Sequence, residues 1–357
     1  MKKIIALLLV LVMVCAMAVA MTGCKQDDGK LYIPVMAKGE QHQFWQVVKK
    51  GAQDAATELG VEIYFAGPAS ETEIDKQVEM IRTELAKSPK ALALAALSTE
   101  AVTEILEECA EKGIPVVGFD SGVPGDTTGA VVATACTNNE AAAALAAEKF
   151  AENEELIAAM TAATADAPVI IGCLSQDAVS ASVVGRTVGF VNKMYEIASN
   201  YGTVAVIGHD NYIKGDASKA SIIIEVAVSA TTDAAAVQTA ANGVLAKDNL
   251  IAMFCSNEGA VTGFLAATAD GQDLAEGGKY DGLVVAGFDA GKAQKDAVRS
   301  GLFLGSVTQD PYQIGYLAVK MAVAAAKGET VTDMDTGAKW YDASNIDAAD
   351  IKDLVYD

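Results

Sequence analysis

Short, almost continuous apolar runs alternate with helix-length segments along most of this chain. Runs such as Leu31–Met36 and Leu283–Phe288 lack the polar–apolar alternation of a half-exposed strand. Strands of this kind are typical of parallel sheets that are covered by helices on both faces. Because parallel neighbours need a crossover helix between them, the pattern predicts an α/β fold with doubly wound sheets.

The alternation restarts near the middle of the 357 residues, and one hydrophobic core rarely exceeds about 250–300 residues. Two lobes are therefore predicted. Predicted strands are 31–36, 61–65, 91–95, 115–119 and 131–133 in the first half, and 169–173, 221–228, 250–255, 283–288 and 304–307 in the second. Predicted helices are 44–59, 74–85, 102–110, 141–150, 179–197, a segment capped at 231–233 that runs toward 245, one after each of the strands 250–255 and 283–288, and 311–327. Residues 203–208 form either an added strand or an excursion.

The amino terminus has the pattern of an export signal. Lys2 and Lys3 precede an uncharged run, and Gly23-Cys24 is followed by a polar segment, as in secretory signals. The junction resembles the bacterial lipobox, which implies a signal peptide over 1–23, a lipidated Cys24 and a lipid-anchored linker over 24–30. An uncleaved membrane anchor is the alternative, because the run approaches the roughly 17–25 residues that span a bilayer. Both interpretations place the rest of the chain outside the cytoplasm, attached to the cell membrane.

The charge of the chain limits its partners. The formal net charge is −21, and such an acidic surface repels phosphate backbones, so we predict no nucleic-acid partner. An anionic ligand is also disfavoured unless a local basic pocket reverses the field.

Four cysteines follow the lipobox, at Cys109, Cys136, Cys173 and Cys255. They are far apart, show no Cys-x-x-Cys spacing, and each lies in or beside an apolar run. The spacing argues against a zinc site, and the apolar surroundings favour free thiols over disulfides.

The usual motifs of catalysis are missing from the sequence. It contains 2 histidines and no His-Glu-x-x-His, Gly-x-Ser-x-Gly, P-loop or Gly-x-Gly-x-x-Gly motif. Metalloproteases, serine hydrolases, P-loop enzymes and dehydrogenases carry these motifs, so we predict a protein that is not an enzyme and has no cofactor or metal. The enzymatic alternative is a glycosidase, in which two aspartates on opposite sides of a cleft would act as the catalytic carboxyl pair.

Two similar segments follow predicted strands in opposite halves of the chain. Residues 118–122 read Gly-Phe-Asp-Ser-Gly, and residues 287–291 read Gly-Phe-Asp-Ala-Gly. In open α/β sheets, ligands bind beyond the carboxyl ends of the strands. The position therefore predicts that Asp120 and Asp289 face a cleft from its two sides, although such turns after strands are also common without any function.

Several further motifs occur in a fixed order. They are Phe44-Trp45 before Gly51-Ala52-Gln53, Gly118-Phe119-Asp120, Gly185-Arg186 before Gly189-Phe190, Phe254-Cys255-Ser256-Asn257-Glu258, Gly287-Phe288-Asp289, and Gln309-Asp310-Pro311 before Gln313-Ile314-Gly315. With these motifs, residues 30–345 resemble the type I solute-binding proteins of sugar ABC transporters, in the ribose- and galactose-binding branch. The resemblance implies two doubly wound parallel-sheet lobes joined by a three-strand hinge, the type I periplasmic binding protein fold.

The same resemblance implies the domain boundaries and the function. Crossings near Thr137, Gln309 and Asp335 would separate an amino-terminal lobe (31–137 with 310–335) from a carboxyl-terminal lobe (138–309 with 336–357). The implied function is capture of a monosaccharide or related polyol by a monomer, and its delivery to the permease of an ABC importer. A sensor lipoprotein that presents a bound sugar or signalling molecule to a membrane receptor is the alternative.

The resemblance also implies the ligand-binding residues. They are Phe44, Trp45, Asp120, Arg186, Asn257, Asp289 and Gln309, with Lys38 and His42 at the rim of the cleft. Carboxylates accept hydroxyl protons, a guanidinium donates to adjacent oxygens, and amides do both, while flat aromatic faces suit the C–H surface of a sugar. The structural alternatives are core packing for the aromatic pair, a helix surface for the arginine, and a solvated loop for the rim.

The sequence departs from the ribose-binding pattern at three places. His42 and Ser121 stand where that branch has asparagine and arginine, and residues 229–233 lack its third aromatic side chain. Tyr212 could replace that side chain only if the segment around it folds over the cleft. These departures argue against ribose itself, while a sugar-like polyol remains favoured.

Overall fold

The computed structural model describes residues 30–40 and 42–356, which form two α/β lobes. The first sheet has six parallel strands in the order β12-β5-β4-β3-β1-β2. These strands are β1 (Tyr32–Met36), β2 (Glu62–Ala66), β3 (Leu92–Leu94), β4 (Val116–Phe119), β5 (Val131–Cys136) and β12 (Met334–Asp335). The helices of this lobe are α1 (Gln43–Leu59), α2 (Ile74–Leu85), α3 (Thr103–Lys112) and α10 (Pro311–Ala326).

The second sheet has seven strands in the order β13-β11-β10-β9-β6-β8-β7, of which only the edge strand β13 is antiparallel. These strands are β6 (Val169–Ser175), β7 (Val204–Ile207), β8 (Ile222–Val228), β9 (Leu250–Cys255), β10 (Val284–Phe288), β11 (Gly305–Gln309) and β13 (Ala338–Tyr341). The helices are α4 (Asn139–Phe150), α5 (Glu154–Ala162), α6 (Ala181–Ala198), α7 (Ala234–Leu245), α8 (Glu258–Ala267) and α9 (Lys292–Arg299). Short 3₁₀ turns occur at Asp210–Tyr212, Ala217–Lys219 and Gln272–Leu274.

Strand β1 shows why the strands of this chain are continuously apolar. Successive side chains of a strand point to opposite faces of the sheet. Ile33 and Val35 lie in one buried cluster with residues of α1 and α10, whereas Met36 lies in a second cluster with Ile81 and Leu106 of α2 and α3. Both faces are therefore covered by helices, which confirms the predicted fold class.

The chain passes three times between the two sheets. Strand β5 ends in the first sheet at Cys136, and α4 then packs against α6 of the second lobe. Gln309 ends β11 of the second sheet, and α10 then packs against α1 of the first lobe. The third passage connects β12, which pairs with β5, to β13, which pairs with β11. These passages form the three-strand hinge.

The sequence pattern leaves out three elements of the structure, namely α5, β12 and β13. Residues 203–208 contain the edge strand β7. Of the two alternatives predicted for this segment, the added strand is therefore correct. The cap predicted at 231–233 is present, because the Asp233 carboxylate accepts a hydrogen bond of 3.0 Å from the Ala236 amide at the start of α7.

The cysteines of the described residues form no disulfide, as predicted. Cys109 is buried and Cys136 is half-buried. Burial raises the pKa of both thiols to about 11. Because the thiolate is the reactive form, the raised pKa disfavours reaction of these side chains near neutral pH.

Within residues 30–40 and 42–356, no helix combines the length and apolar character that a membrane crossing requires. The predicted signal peptide and Cys24 lie outside the described residues.

Helices α1 and α10 approach each other closely at two glycines. A Cβ added to Gly51 would lie 2.0 Å from the carbonyl oxygen of Tyr312, and one added to Gly315 would lie 1.9 Å from that of Val48. Both distances are shorter than any non-bonded contact, so a side chain at either position would push the helices apart.

We expect Gly315→Ala to lower the free energy of unfolding by about 1–3 kcal/mol, because over-packing forces the backbone to shift. Gly243→Ala is the matched control. Gly243 lies in α7, where no atom beyond its chain neighbours and the adjacent helix backbone lies within 4 Å of the added Cβ, and alanine is favoured there by about 0.5–1 kcal/mol. Urea unfolding measures both variants, and a Gly315→Ala protein as stable as the wild type would contradict the close packing.

Candidate functional site

A narrow cavity lies between the two lobes, at the carboxyl ends of the strands. It is lined by Lys38, His42, Phe44, Trp45, Glu71, Asp120, Arg186, Asn257, Glu258, Asp289 and Gln309. The structure thus brings together every ligand-binding residue inferred from the sequence. The free volume inside the cavity is about 20 Å³, room for about one water molecule, so the lining side chains nearly fill the space between the lobes.

Asp120 and Asp289 occupy equivalent positions in the two lobes. Each directly follows a buried strand, β4 or β10, and its amide donates to the next strand, at 3.1 Å to Ala135 or 2.7 Å to Val307. Each has a positive φ, of 53° and 75° respectively. Aspartate tolerates this left-handed conformation better than most residues. The two strand ends thereby place both carboxylates at the same cavity.

The Asp289 carboxylate is held by three donors. Its Oδ1 accepts from Gln309 Nε2 at 2.7 Å. Its Oδ2 accepts from Arg186 Nη1 at 3.2 Å and from the backbone N–H of Glu258 at 3.0 Å. Charge-assisted bonds of this kind are stronger than neutral ones, so the orientation of the carboxylate is fixed by the protein itself.

Arg186 is only 3% exposed, so its alternative position on a helix surface is wrong. Its Nε donates to Asn139 Oδ1 at 2.8 Å, and Nη1 also donates to the Ser256 carbonyl at 3.3 Å. The guanidinium carbon lies 3.9 Å from the ring centroid of Phe288, a cation–π contact. All these partners belong to the lobe of the second sheet, so this half of the site is organised within one lobe.

Lys38 forms the corresponding charge pair on the side of the first sheet. Its Nζ lies 3.4 Å from Asp120 Oδ2 and donates at 3.2 Å to Ser182 Oγ across the cleft. The Ser182 hydroxyl also lies 2.9 Å from that of Ser121. Burial by itself lowers the pKa of Lys38, but Asp120 and Glu71 reverse this effect and raise it. Lys38 is therefore a buried cation and not part of a solvated loop.

The aromatic pair belongs both to the core and to the cavity. Phe44 and Trp45 make an edge contact with ring centroids 4.9 Å apart, within a buried cluster. Trp45 Nε1 donates to Glu71 Oε1 at 3.0 Å. Burial raises the pKa of Glu71, but Lys38, His42 and this hydrogen bond outweigh burial and lower it. Glu71 is thus a carboxylate that orients the indole.

Asn257 and Glu258 begin helix α8 at the edge of the cavity. Asn257 Oδ1 caps the helix by accepting from the Ala260 amide at 2.9 Å, and its side-chain nitrogen donates to Gln176. Glu258 Oε1 lies 4.0 Å from His42 Nδ1. Burial raises the pKa of Glu258 to about 7.

Sequence reasoning did not assign Glu71, Glu258 or Ser182 to the site. Glu258 belongs to the motif at 254–258 and directly follows Asn257, so the motif could have predicted its place in the site. Glu71 lies in the loop after β2, where no pattern marks it. Tyr212 does not line the cavity; it lies beside His209, with ring centroids 5.5 Å apart, and does not replace the missing aromatic side chain.

The cavity contains more carboxyl groups than cations. Asp120, Asp289, Glu71 and Glu258 line it, and both of its long cations already face an aspartate, Lys38 at 3.4 Å and Arg186 at 3.2 Å. This balance disfavours an anionic ligand and favours one rich in hydroxyl groups. The described part of the chain contains no cluster of three or more side chains suited to a metal ion.

The model of the family described as "Periplasmic binding protein domain" matches residues 33–330. The chain belongs to this family. The match covers strands of both sheets and all the residues that line the cavity, and it confirms the resemblance inferred from the sequence.

Three similar proteins are consistent with this family assignment. The D-allose-binding periplasmic protein of Escherichia coli (strain K12) is 25% identical over 308 residues, 84% of this chain and 86% of that protein. The solved "ABC transporter, LacI family transcriptional regulator from Brachyspira murdochii" is 39% identical with a TM-score of 0.77, covering 93% of this chain and 100% of that one. An ABC transporter solute-binding protein from Agrobacterium vitis with bound D-fucose is 27% identical with a TM-score of 0.74, covering 91% and 100%. Family membership implies a location outside the cytoplasm.

Proposed function

We propose that this periplasmic binding protein captures a small neutral monosaccharide or related polyol between its lobes and delivers it to an ABC importer. The observation that carries the proposal is the pair of strand-end carboxylates, Asp120 and Asp289, which line one small cavity from two lobes. The relative named for D-allose binding and the solved structure with bound D-fucose support the ligand class.

The cavity offers each kind of contact that a sugar needs. Asp120 and Asp289 accept hydroxyl protons, and Arg186 and Gln309 donate to hydroxyl and ring oxygens. Phe44 and Trp45 present apolar ring surface to C–H groups. Binding of this kind involves no bond-making step, so the proposed function requires no enzymatic chemistry.

Closure of the lobes is the mechanism we propose for capture. Each lobe carries one pair of an aspartate with a cation, and a ligand that contacts both pairs stabilises the closed arrangement. The hydroxyl and ammonium contacts of Ser182 with Ser121 and Lys38 connect the lobes directly. The closed monomer is the form that the importer's permease recognises.

Thermal unfolding in the presence of sugars tests the ligand class. D-Allose, D-fucose, other hexoses, pentoses and polyols are compared with a uronic acid and a hexose phosphate as anionic counterparts. A ligand at about 100 times its Kd stabilises the folded protein by about 2.7 kcal/mol, so a bound neutral sugar raises Tm by several degrees. Stabilisation by the anionic compounds alone, or by none of the compounds, would contradict the proposal.

We also propose that Cys24 is lipidated and anchors the protein to the membrane, because Gly23-Cys24 follows the basic and apolar parts of the signal. Cys24→Ala is expected to abolish incorporation of a labelled fatty acid and to release the protein or leave it as precursor. Cys15→Ala, within the apolar run, is the matched control and is expected to keep both label and membrane fraction. Lipidation of the Cys24→Ala protein would contradict the assignment.

A further inference from the structure

Glu258 lies where the two lobes meet, beside the cavity. It is the first residue of α8 in one lobe, and its carboxylate faces the start of α1 in the other, 4.0 Å from His42 Nδ1. Close by, the Lys292 amide donates at 3.0 Å to Gln43 Oε1 across the same boundary. A Cβ on Gly291 would lie 2.6 Å from Glu258 Oε1, so the carboxyl fits tightly against the backbone.

The charged and polar surroundings of this carboxyl come from both lobes. The groups that face it are His42 and the amides of Gln43 and Phe44 from the first lobe, together with Asp289, Tyr341 and Tyr356. Asp289 is already paired with Arg186, and the ammonium of Lys292 is paired with Asp296 at 2.7 Å. Oε2 of Glu258 is buried without a hydrogen-bond partner among the described residues, a costly state for a carboxylate and a milder one for a carboxylic acid.

Burial is the largest influence on this group and raises its pKa from the ordinary value to about 7, assisted by Asp289 and opposed by His42 and the two amides. His42, Gln43 and Phe44 of the first lobe face the carboxyl from across the cleft and contribute to that burial. When the lobes separate, the carboxyl regains water and its pKa returns toward the ordinary value of about 4.3.

We propose that Glu258 is a proton-binding residue of the site, and that closure of the cleft on a sugar takes up a proton at this carboxyl. The inference rests on the proposed function, because it requires a ligand that closes the lobes. The sign follows from linkage: a group whose pKa is higher in the closed state favours closure at low pH, and this contribution is lost as pH rises through about 7. Sugar affinity is therefore highest in mildly acidic solution.

Calorimetric titration with D-allose and D-fucose at pH 6 and pH 8 tests the proposal. For a pKa of about 7 in the closed state, linkage gives a Kd about tenfold lower at pH 6 than at pH 8. At pH 6, the heat of binding is expected to vary with the ionisation enthalpy of the buffer, as uptake of a proton requires. This second measurement uses the wild type alone.

Glu258→Gln assigns the effect to the residue, because glutamine keeps the shape and does not titrate. We expect the ratio of the two Kd values to fall close to one in this variant. Glu40→Gln is the matched control, since Glu40 is an exposed acid in the same loop as His42, and it is expected to keep the tenfold ratio. Equal affinity at both pH values in the wild type, or a tenfold ratio retained in Glu258→Gln, would overturn this inference but not the proposed function. If no sugar binds at either pH, both the inference and the proposed function are overturned.

Discussion

Asp289→Asn is expected to weaken sugar binding by about 30- to 1,000-fold, which corresponds to roughly 2–4 kcal/mol. Hydrogen bonds to a charged group contribute about 1.5–3 kcal/mol each, and the carboxylate is placed to accept from ligand hydroxyls as well as from Arg186 and Gln309. An asparagine would place its NH₂ group against the donor of Arg186 or Gln309, and two donors cannot form a hydrogen bond with each other. Asparagine is the appropriate replacement because it tolerates the φ of 75° at this position.

The competing explanation for Asp289 is a cap on the helix that directly follows it, α9, and the structure contradicts this cap. Helix α9 begins after Gly291 and has no side-chain cap. Asp233→Ala is the matched control, because Asp233 caps α7 away from the cavity. Its loss is expected to lower stability by about 1 kcal/mol and leave the Kd unchanged. Calorimetry and a urea melt on both variants separate the two roles, and wild-type affinity in Asp289→Asn would contradict the ligand role.

Arg186→Met is expected to lower the free energy of unfolding by about 3–5 kcal/mol, even without sugar, because it leaves the buried Asp289 carboxylate without its cation. Methionine retains the packing on Phe288, which the guanidinium contacts at 3.9 Å. The hydrogen bonds to Asn139 and Ser256 are lost as well. The affinity for sugar is expected to fall as well, because the orientation of the Asp289 carboxylate depends on these contacts of Arg186.

Lys193→Met on the same helix is the matched control for Arg186→Met. Lys193 forms an exposed pair with Glu196 at 2.9 Å, and surface pairs of this type contribute about 0–1 kcal/mol. A urea melt compares the two variants directly. An Arg186→Met protein that unfolds at the same urea concentration as Lys193→Met would contradict the role of Arg186 as the buried partner of Asp289.

The sheets were predictable because burial on both faces leaves a local mark, a continuous apolar run such as that of β10. Strands β12 and β13 were not, because two or four residues become strands only by pairing with β5 and β11. Asp120 and Asp289 could be located because each ends such a run. The role of Glu71 could not, since its place depends on the contacts with Trp45 and Lys38, which the chain forms only after folding.

The central claim is that one sugar is held by both lobes at once. Calorimetric titration of the wild type, Asp120→Asn and Asp289→Asn with D-allose and D-fucose tests it most directly, because each variant alters the strand-end carboxylate of one lobe. The expected result is that the wild type binds at least one of the sugars, with one molecule per chain, and that each substitution alone weakens that binding by tenfold or more. Wild-type affinity in either variant would show that the ligand does not bridge the lobes, and would contradict the claim.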